Sequence, residues 1–213
     1  MISFTAGLPR SIEIDGEAYA IDTDYRIMAD FEMKIANADM ADRTAFARVL
    51  SETVSALFTE FPRADIQQII EGVLWYYRCG NEPRDTDGTP RSNKRYYDYG
   101  EDADYIYAAF RQQYGDDLIT SRMHWWEFRA KFMALTEATE FVKIMQYRGT
   151  DTSKIKCKEE RARIKKLQAR YALKSQRVQK FASLAERNEA YKEKLRRRFE
   201  EVQRQAENYL KNS

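Results

Sequence analysis

Two adjacent tryptophans, Trp125 and Trp126 in the segment RMHWWEFRAKFMAL, constrain this chain more than any other feature. Read as a helix that includes Ser121, the segment sets Trp125, Phe128, Phe132 and Leu135 on one row. Met123, Trp126, Ala130 and Met133 fall on a second row about 100° round the axis. An apolar arc this wide must be covered on two sides, so the helix is expected at the centre of a bundle, its indoles facing two walls of a groove. His124, the only histidine, lies at the edge of the arc beside Glu127 and Lys131. It is expected to donate a hydrogen bond to a carboxylate or backbone carbonyl, because the sequence identifies no partners for acid–base work.

The neighbours of this helix can be read from apolar spacing. In SIEIDGEAYAID, Ile12 and Ile14 alternate with polar residues up to Asp15-Gly16, and Tyr19 and Ile21 alternate after it. An Asp-Gly pair permits a two-residue turn, so a hairpin is expected, and it must pack on something. The expected supports are three helices. The first, capped by Thr23 or Asp24, runs to about Ala36 with Tyr25, Met28, Phe31 and Ile35 inward. The second, from about Arg43 to Phe58, carries Phe46, Val49, Leu50, Val54 and Leu57, and Phe61-Pro62 ends it. The third, from about Ala64 to Cys79, turns in Ile66, Ile69, Ile70, Val73, Leu74 and Tyr77, and Gly80 stops it. Residues 80–97, with two prolines and two glycines, read as a loop that is either disordered or functional. Beyond it Ala103, Ile106, Tyr107, Phe110 and Tyr114 form the inner stripe of a further helix terminated by Gly115. The acidic pairs Glu101-Asp102 and Asp116-Asp117 read as helix starts.

Charge divides the chain. Residues 1–150 hold 17 Lys and Arg against 25 Asp and Glu, and residues 151–213 hold 19 against 9, giving about −8 and +10. All tryptophans, prolines and glycines lie in the first part, so an acidic helical body (1–150) and a basic long helix (151–213) are expected. Cys79 and Cys157 are far apart with no second ligand at metal spacing, and they read as free thiols. No phosphate loop, dinucleotide fingerprint, HExxH or GxSxG elbow is present, and neither a signal peptide nor a membrane-length apolar run is found. The expectation is a non-enzymatic protein with no catalytic, metal or cofactor residues, acting through binding.

Several ordered blocks carry a resemblance. EDADYIYAAFRQQYGDDL, MHWWEFRAKFMAL and KIMQYR, preceded by LPRSIEIDGEAYAIDTDYR, resemble the bacteriophage gene-product-fifteen family over roughly residues 8–170. The resemblance implies a tail-region protein encoded near the tape-measure gene, with a role like that of a tail assembly chaperone in the cytoplasm of an infected or lysogenic bacterial host. It implies no catalytic residues.

The basic part extends past the resemblance. From Ile164, positions recur in sevens: Ile164, Tyr171, Val178, Ala185, Lys192, Phe199 and Ala206 on one row, and Leu167, Lys174, Phe181, Asn188, Leu195, Val202 and Tyr209 on the other. A long helix with a coiled-coil seam is expected, with Phe181, Leu195, Phe199 and Val202 as partner-binding residues. The seam is covered either by another chain, giving a homo-oligomer or a complex with the tape-measure or another tail protein, or by the acidic body. Clustered Lys and Arg also permit a nucleic-acid reading, and a permanent place in the virion is a third alternative. The whole reads as a mainly α protein: a helical bundle with a small N-terminal β-hairpin and a long C-terminal helix.

Overall fold

The computed structural model describes residues 5–37, 43–82 and 95–173. The expected partner-binding residues Phe181, Leu195, Phe199 and Val202, most of the heptad rows and residues 83–94 of the expected loop lie outside them. The architecture is mainly helical with one two-stranded antiparallel hairpin, as the sequence pattern requires. The first compact unit runs from Met1 to Tyr171.

Strands β1 (Ser11–Ile14) and β2 (Glu17–Ala20) pair with Ile12 opposite Tyr19 and Ile14 opposite Glu17. The turn residues Asp15 and Gly16 both take positive φ, 53° and 78°, the geometry that suits the twist of a tight hairpin. Ile12 and Ile14 are buried against α3 (Ile66–Tyr77). They meet it at Gly72, where a Cβ would stand 3.0 Å from Ile12 Cγ2 and 3.2 Å from Ile14 Cγ1. This close approach explains a glycine inside a helix, where it otherwise costs about 1 kcal/mol. After β2 the chain meets the exit of α2 (Arg43–Leu57): Asp22 N–H donates to Leu57 O and Thr59 N–H to Ala20 O.

Helix α1 (Tyr25–Asn37) begins where Asp24 Oδ1 accepts the Arg26 N–H, so Asp24 performs the capping expected of Thr23 or Asp24. Its Tyr25, Met28 and Phe31 are buried, and α1 packs on α2 and α5 (Trp125–Met133). Helix α3 is shorter than expected at both ends. Asp65 caps it through a reciprocal box with Gln68, and Cys79 already adopts a left-handed conformation at φ 58°. Ile66, expected on the inner stripe, is 57% exposed because it sits in the first turn, beyond the reach of the neighbouring elements.

Helix α4 (Ala103–Tyr114) ends at Gly115, whose φ of 75° and N–H to Arg111 O fit the expected stop. Ile106, Ala109 and Phe110 form its buried face, while Ala103 is exposed. Asp102 stands at the N-cap position but caps nothing, because its carboxylate is held elsewhere. Asp116-Asp117 start no helix: Asp117 Oδ1 accepts the N–H groups of Ile119 and Thr120 in a turn, and Asp116 pairs with Lys131.

Helix α6 (Glu140–Gly149) packs on α4 and on α7 (Lys158–Tyr171), a short 3₁₀ turn (Thr152–Lys154) lying between α6 and α7. Ile164 is buried, and Gln168 Nε2 donates to Tyr147 O and Thr150 O. Helix α7 ends at Tyr171: Ala172 and Leu173 are not helical, and the carbonyl of Tyr171 accepts from Arg148 Nε.

Candidate functional site

The tryptophan pair is core, fixed by a reciprocal need. A helix leaves its last carbonyls without intrahelical partners. At the end of α3, Trp125 Nε1 donates to Tyr77 O and Trp126 Nε1 to Tyr76 O, each at 3.0 Å. Two adjacent indoles thus satisfy two adjacent carbonyls, and both rings are buried. The second row expected on this helix is only half realised. Met123 and Trp126 are buried, but Ala130 is exposed and Met133 is 72% exposed, since neighbouring elements cover only one side of so short a helix.

Helix α5 also starts later than the periodicity suggests, because His124 caps it. His124 Nδ1 accepts the Trp126 N–H at 3.0 Å, which places the ring proton on Nε2, 2.8 Å from Pro9 O. The expected histidine-to-carbonyl bond is therefore made, and the residue has a capping duty besides. Burial holds its pKa below the ordinary 6.5, against the opposing influence of the Pro9 carbonyl and Glu127 and with a smaller lowering from Arg10. The sign follows: above about pH 6.5 the ring is neutral in folded and unfolded chains, and the cap is fully present. As pH falls further the unfolded chain takes up a proton that the folded chain resists, so stability declines until the folded pKa is passed. Urea midpoints recorded from pH 7.5 to 5.5 are expected to fall for the wild type. His124→Asn, which caps without titrating, is expected to show a flatter profile.

A second polar group lies beside this core. Glu32 accepts from Tyr77 Oη at 2.7 Å and from Tyr97 Oη at 2.9 Å, and Arg129 donates to Tyr99 Oη at 3.1 Å and lies over the Trp125 ring. Burial, and then the charge of Glu32, pushes the Tyr77 phenol far above its usual range; burial does the same for Tyr99. Phenols held protonated in this way lock helices together and offer no base near neutral pH.

The segment Asp22-Thr23-Asp24-Tyr25-Arg26 does a different job. Tyr25 N–H donates to Met123 O and Trp125 N–H to Thr23 O, stitching it to the start of α5. Arg26 pairs with Asp24, and its Nη2 donates to the carbonyls of Leu118, Ile119 and Ser121 at 2.6, 2.9 and 3.1 Å. Tyr25 Oη also donates to Leu118 O. Arg26 therefore gathers the middle of the connector between α4 and α5.

That connector forms one wall of an open groove of about 660 Å³. Tyr25, Ala29 and Met33 of α1 face Ile106 and Tyr107 of α4 across it, and Phe128 of α5 closes the floor. Phe128 is stacked between Tyr25 at 4.4 Å and Phe110 at 5.0 Å, so the floor is rigid. On the rim, Ile119 is 74% exposed. Volume and apolar lining fall within the range of binding sites. Sequence reasoning missed this site. DTDYR was the only available signal, and Ile119, in a turn without periodicity, gave none.

Among the described residues no group of three or more His, Cys, Asp and Glu side chains could hold a metal ion, and no helix is long and apolar enough to cross a membrane. A family model described as "Bacteriophage Gp15 protein" matches residues 4–173. Neither the curated proteins nor the solved structures contain a match to the chain.

Proposed function

The chain belongs to the bacteriophage Gp15 family and is a phage-encoded protein of structural or assembly type; from this premise we propose that it is a tail assembly factor, a chaperone-like protein that holds the tape-measure protein in the host cytoplasm until the tail tube forms around it. The observation that carries this reading is the mainly apolar groove between α1 and α4, open at its rim and floored by stacked rings. A factor that shields a helical client needs a surface that stays exposed without collapsing, because contiguous exposed apolar area otherwise drives aggregation. The clamp of Arg26 on three connector carbonyls supplies that rigidity. The heptad positions Phe181, Leu195, Phe199 and Val202 are a second proposed contact, for the client or for another copy of the chain.

Co-expression with the tape-measure protein of the same phage is expected to move that client from the pellet to the supernatant, and purified virions are expected to lack the chain by mass spectrometry. An unchanged client, together with tight binding to DNA or RNA at physiological salt, would favour the nucleic-acid reading; persistence of the chain in virions would make it a structural component.

A further inference from the structure

We infer that the groove between α1 and α4 receives an α-helix with a cationic flank, presented by another protein; the inference rests on the assembly reading and names the form its partner takes. Tyr25 Oη is committed to Leu118 O, Tyr99 Oη accepts from Arg129, and the Arg26 guanidinium is held by Asp24 and three carbonyls. Of the lining side chains this leaves the Tyr107 phenol and the Asp104 carboxylate, too few for a polar small molecule to be held by a set of convergent donors.

An extended peptide fares no better. No lining residue belongs to a strand, and on the non-helical connector wall the Ile119 N–H is taken by Asp117, its carbonyl by Arg26, and the Leu118 carbonyl by Tyr25 Oη and Arg26. A peptide entering as a strand would leave its own backbone groups unpaired in an apolar trough. A helix satisfies those groups internally and presents only side chains.

The charge follows from the rim. With Arg26 neutralised by Asp24, the remaining charged lining residue is Asp104, exposed in the first turn of α4 and in no ion pair among the described residues. Residues 1–171, the compact unit that holds the groove, carry 25 Lys and Arg against 28 Asp and Glu, so the local charge of Asp104 decides the sign at the rim. The complementary partner carries apolar residues at i, i+3, i+4 and i+7 and Lys or Arg on the edge that lies against Asp104.

The test uses the full chain and a labelled model helix of about eighteen residues, leucine at those spacings and lysine on the flanks, followed by fluorescence anisotropy. Two controls replace the lysines by glutamate or place a proline at the centre. The lysine helix is expected to bind. Asp104→Lys is expected to weaken it about fivefold, and Ile119→Glu at least tenfold. Both side chains are exposed, so circular dichroism of the variants should match the wild type. Equal binding of the glutamate or proline peptide, or binding that Ile119→Glu leaves intact, overturns the inference. So does a concentration-dependent dimer that Ile119→Glu dissolves, because the groove would then hold a second copy. If the Ile119→Glu chain still keeps the tape-measure protein in solution, the groove inference fails while the assembly reading stands. If neither chain does so, the assembly reading fails and the peptide titration alone decides the groove.

Discussion

Replacing Arg148 by methionine is expected to destabilise the fold by about 3 to 5 kcal/mol, measured as a shift in the urea midpoint at neutral pH. Arg148 and Asp102 are buried, with side chains 5% and 2% exposed, and they bond in a two-pronged pair at 2.6 and 2.8 Å. The guanidinium also donates through Nε to Tyr171 O and through Nη1 to Tyr96 O, and Asp102 Oδ2 accepts the Asp98 N–H. The single substitution removes one charge and leaves the other in a medium that solvates it poorly. It also removes a charged donor from the carbonyls of Tyr96 and Tyr171. Removing both charges in Arg148→Met with Asp102→Leu lifts the larger penalty, so the double variant is expected to be more stable than Arg148→Met alone. It should still fall short of the wild type, because the carbonyls of Tyr96 and Tyr171 and the amide of Asp98 lose partners that no apolar side chain replaces. Arg148→Lys is expected to recover little, since a point cation cannot make the forked pair and the Nε bond together. Hydrogen exchange should speed up most in α7, the helix whose last carbonyl Arg148 holds. A double variant no better than Arg148→Met would show that the side chain acts by packing rather than by charge.

This pair also shows where sequence reading stops. Asp102 and Arg148 are 46 residues apart, and each has a sufficient local explanation: a carboxylate at a helix start and a cation near a helix end both favour the helix dipole. Nothing local distinguishes a solvated charge from one buried against a distant partner. Where local chemistry decides the outcome, the pattern was readable. Asp15-Gly16 can form a tight turn wherever it occurs, Gly115 stops α4, and Tyr25, Met28 and Phe31 must face one way if α1 is to bury anything. Periodicity failed at boundaries and at short elements. It carried α5 back through His124, although an imidazole nitrogen can cap a helix, and it turned Met133 inward although nothing stands there to cover it. The groove was the least readable feature. It is a space between elements, tied to the DTDYR motif through Tyr25, which lines it, and Arg26, which draws Leu118, Ile119 and Ser121 together.

Trp125→Ala is expected to cost about 3 to 5 kcal/mol and to yield protein with weak near-ultraviolet dichroism, because the indole is fully buried and lies stacked on Tyr77 and Phe128. The sharper test compares the two tryptophans through phenylalanine, which keeps an aromatic ring and removes the indole N–H. Tyr76 O has a second donor, the Cys79 N–H at 3.0 Å, so Trp126→Phe leaves that carbonyl partnered. Among the described residues, Tyr77 O has besides Trp125 the Cys79 thiol at 3.9 Å, a weak and distant donor. Trp125→Phe therefore leaves a carbonyl nearly unsatisfied, at about 1 to 3 kcal/mol, whereas Trp126→Phe is expected to cost less in hydrogen bonding. Trp125 also lies under the Arg129 guanidinium at 5.5 Å, a contact that phenylalanine keeps only in part. The expected order of urea midpoints is wild type, then Trp126→Phe, then Trp125→Phe, then Trp125→Ala. A reversed order of the two phenylalanine variants would mean that packing, and not the carbonyls at the end of α3, decides the role of the pair. A Trp125→Ala chain of unchanged stability that lost only its hold on the client would turn this part of the core into a binding site.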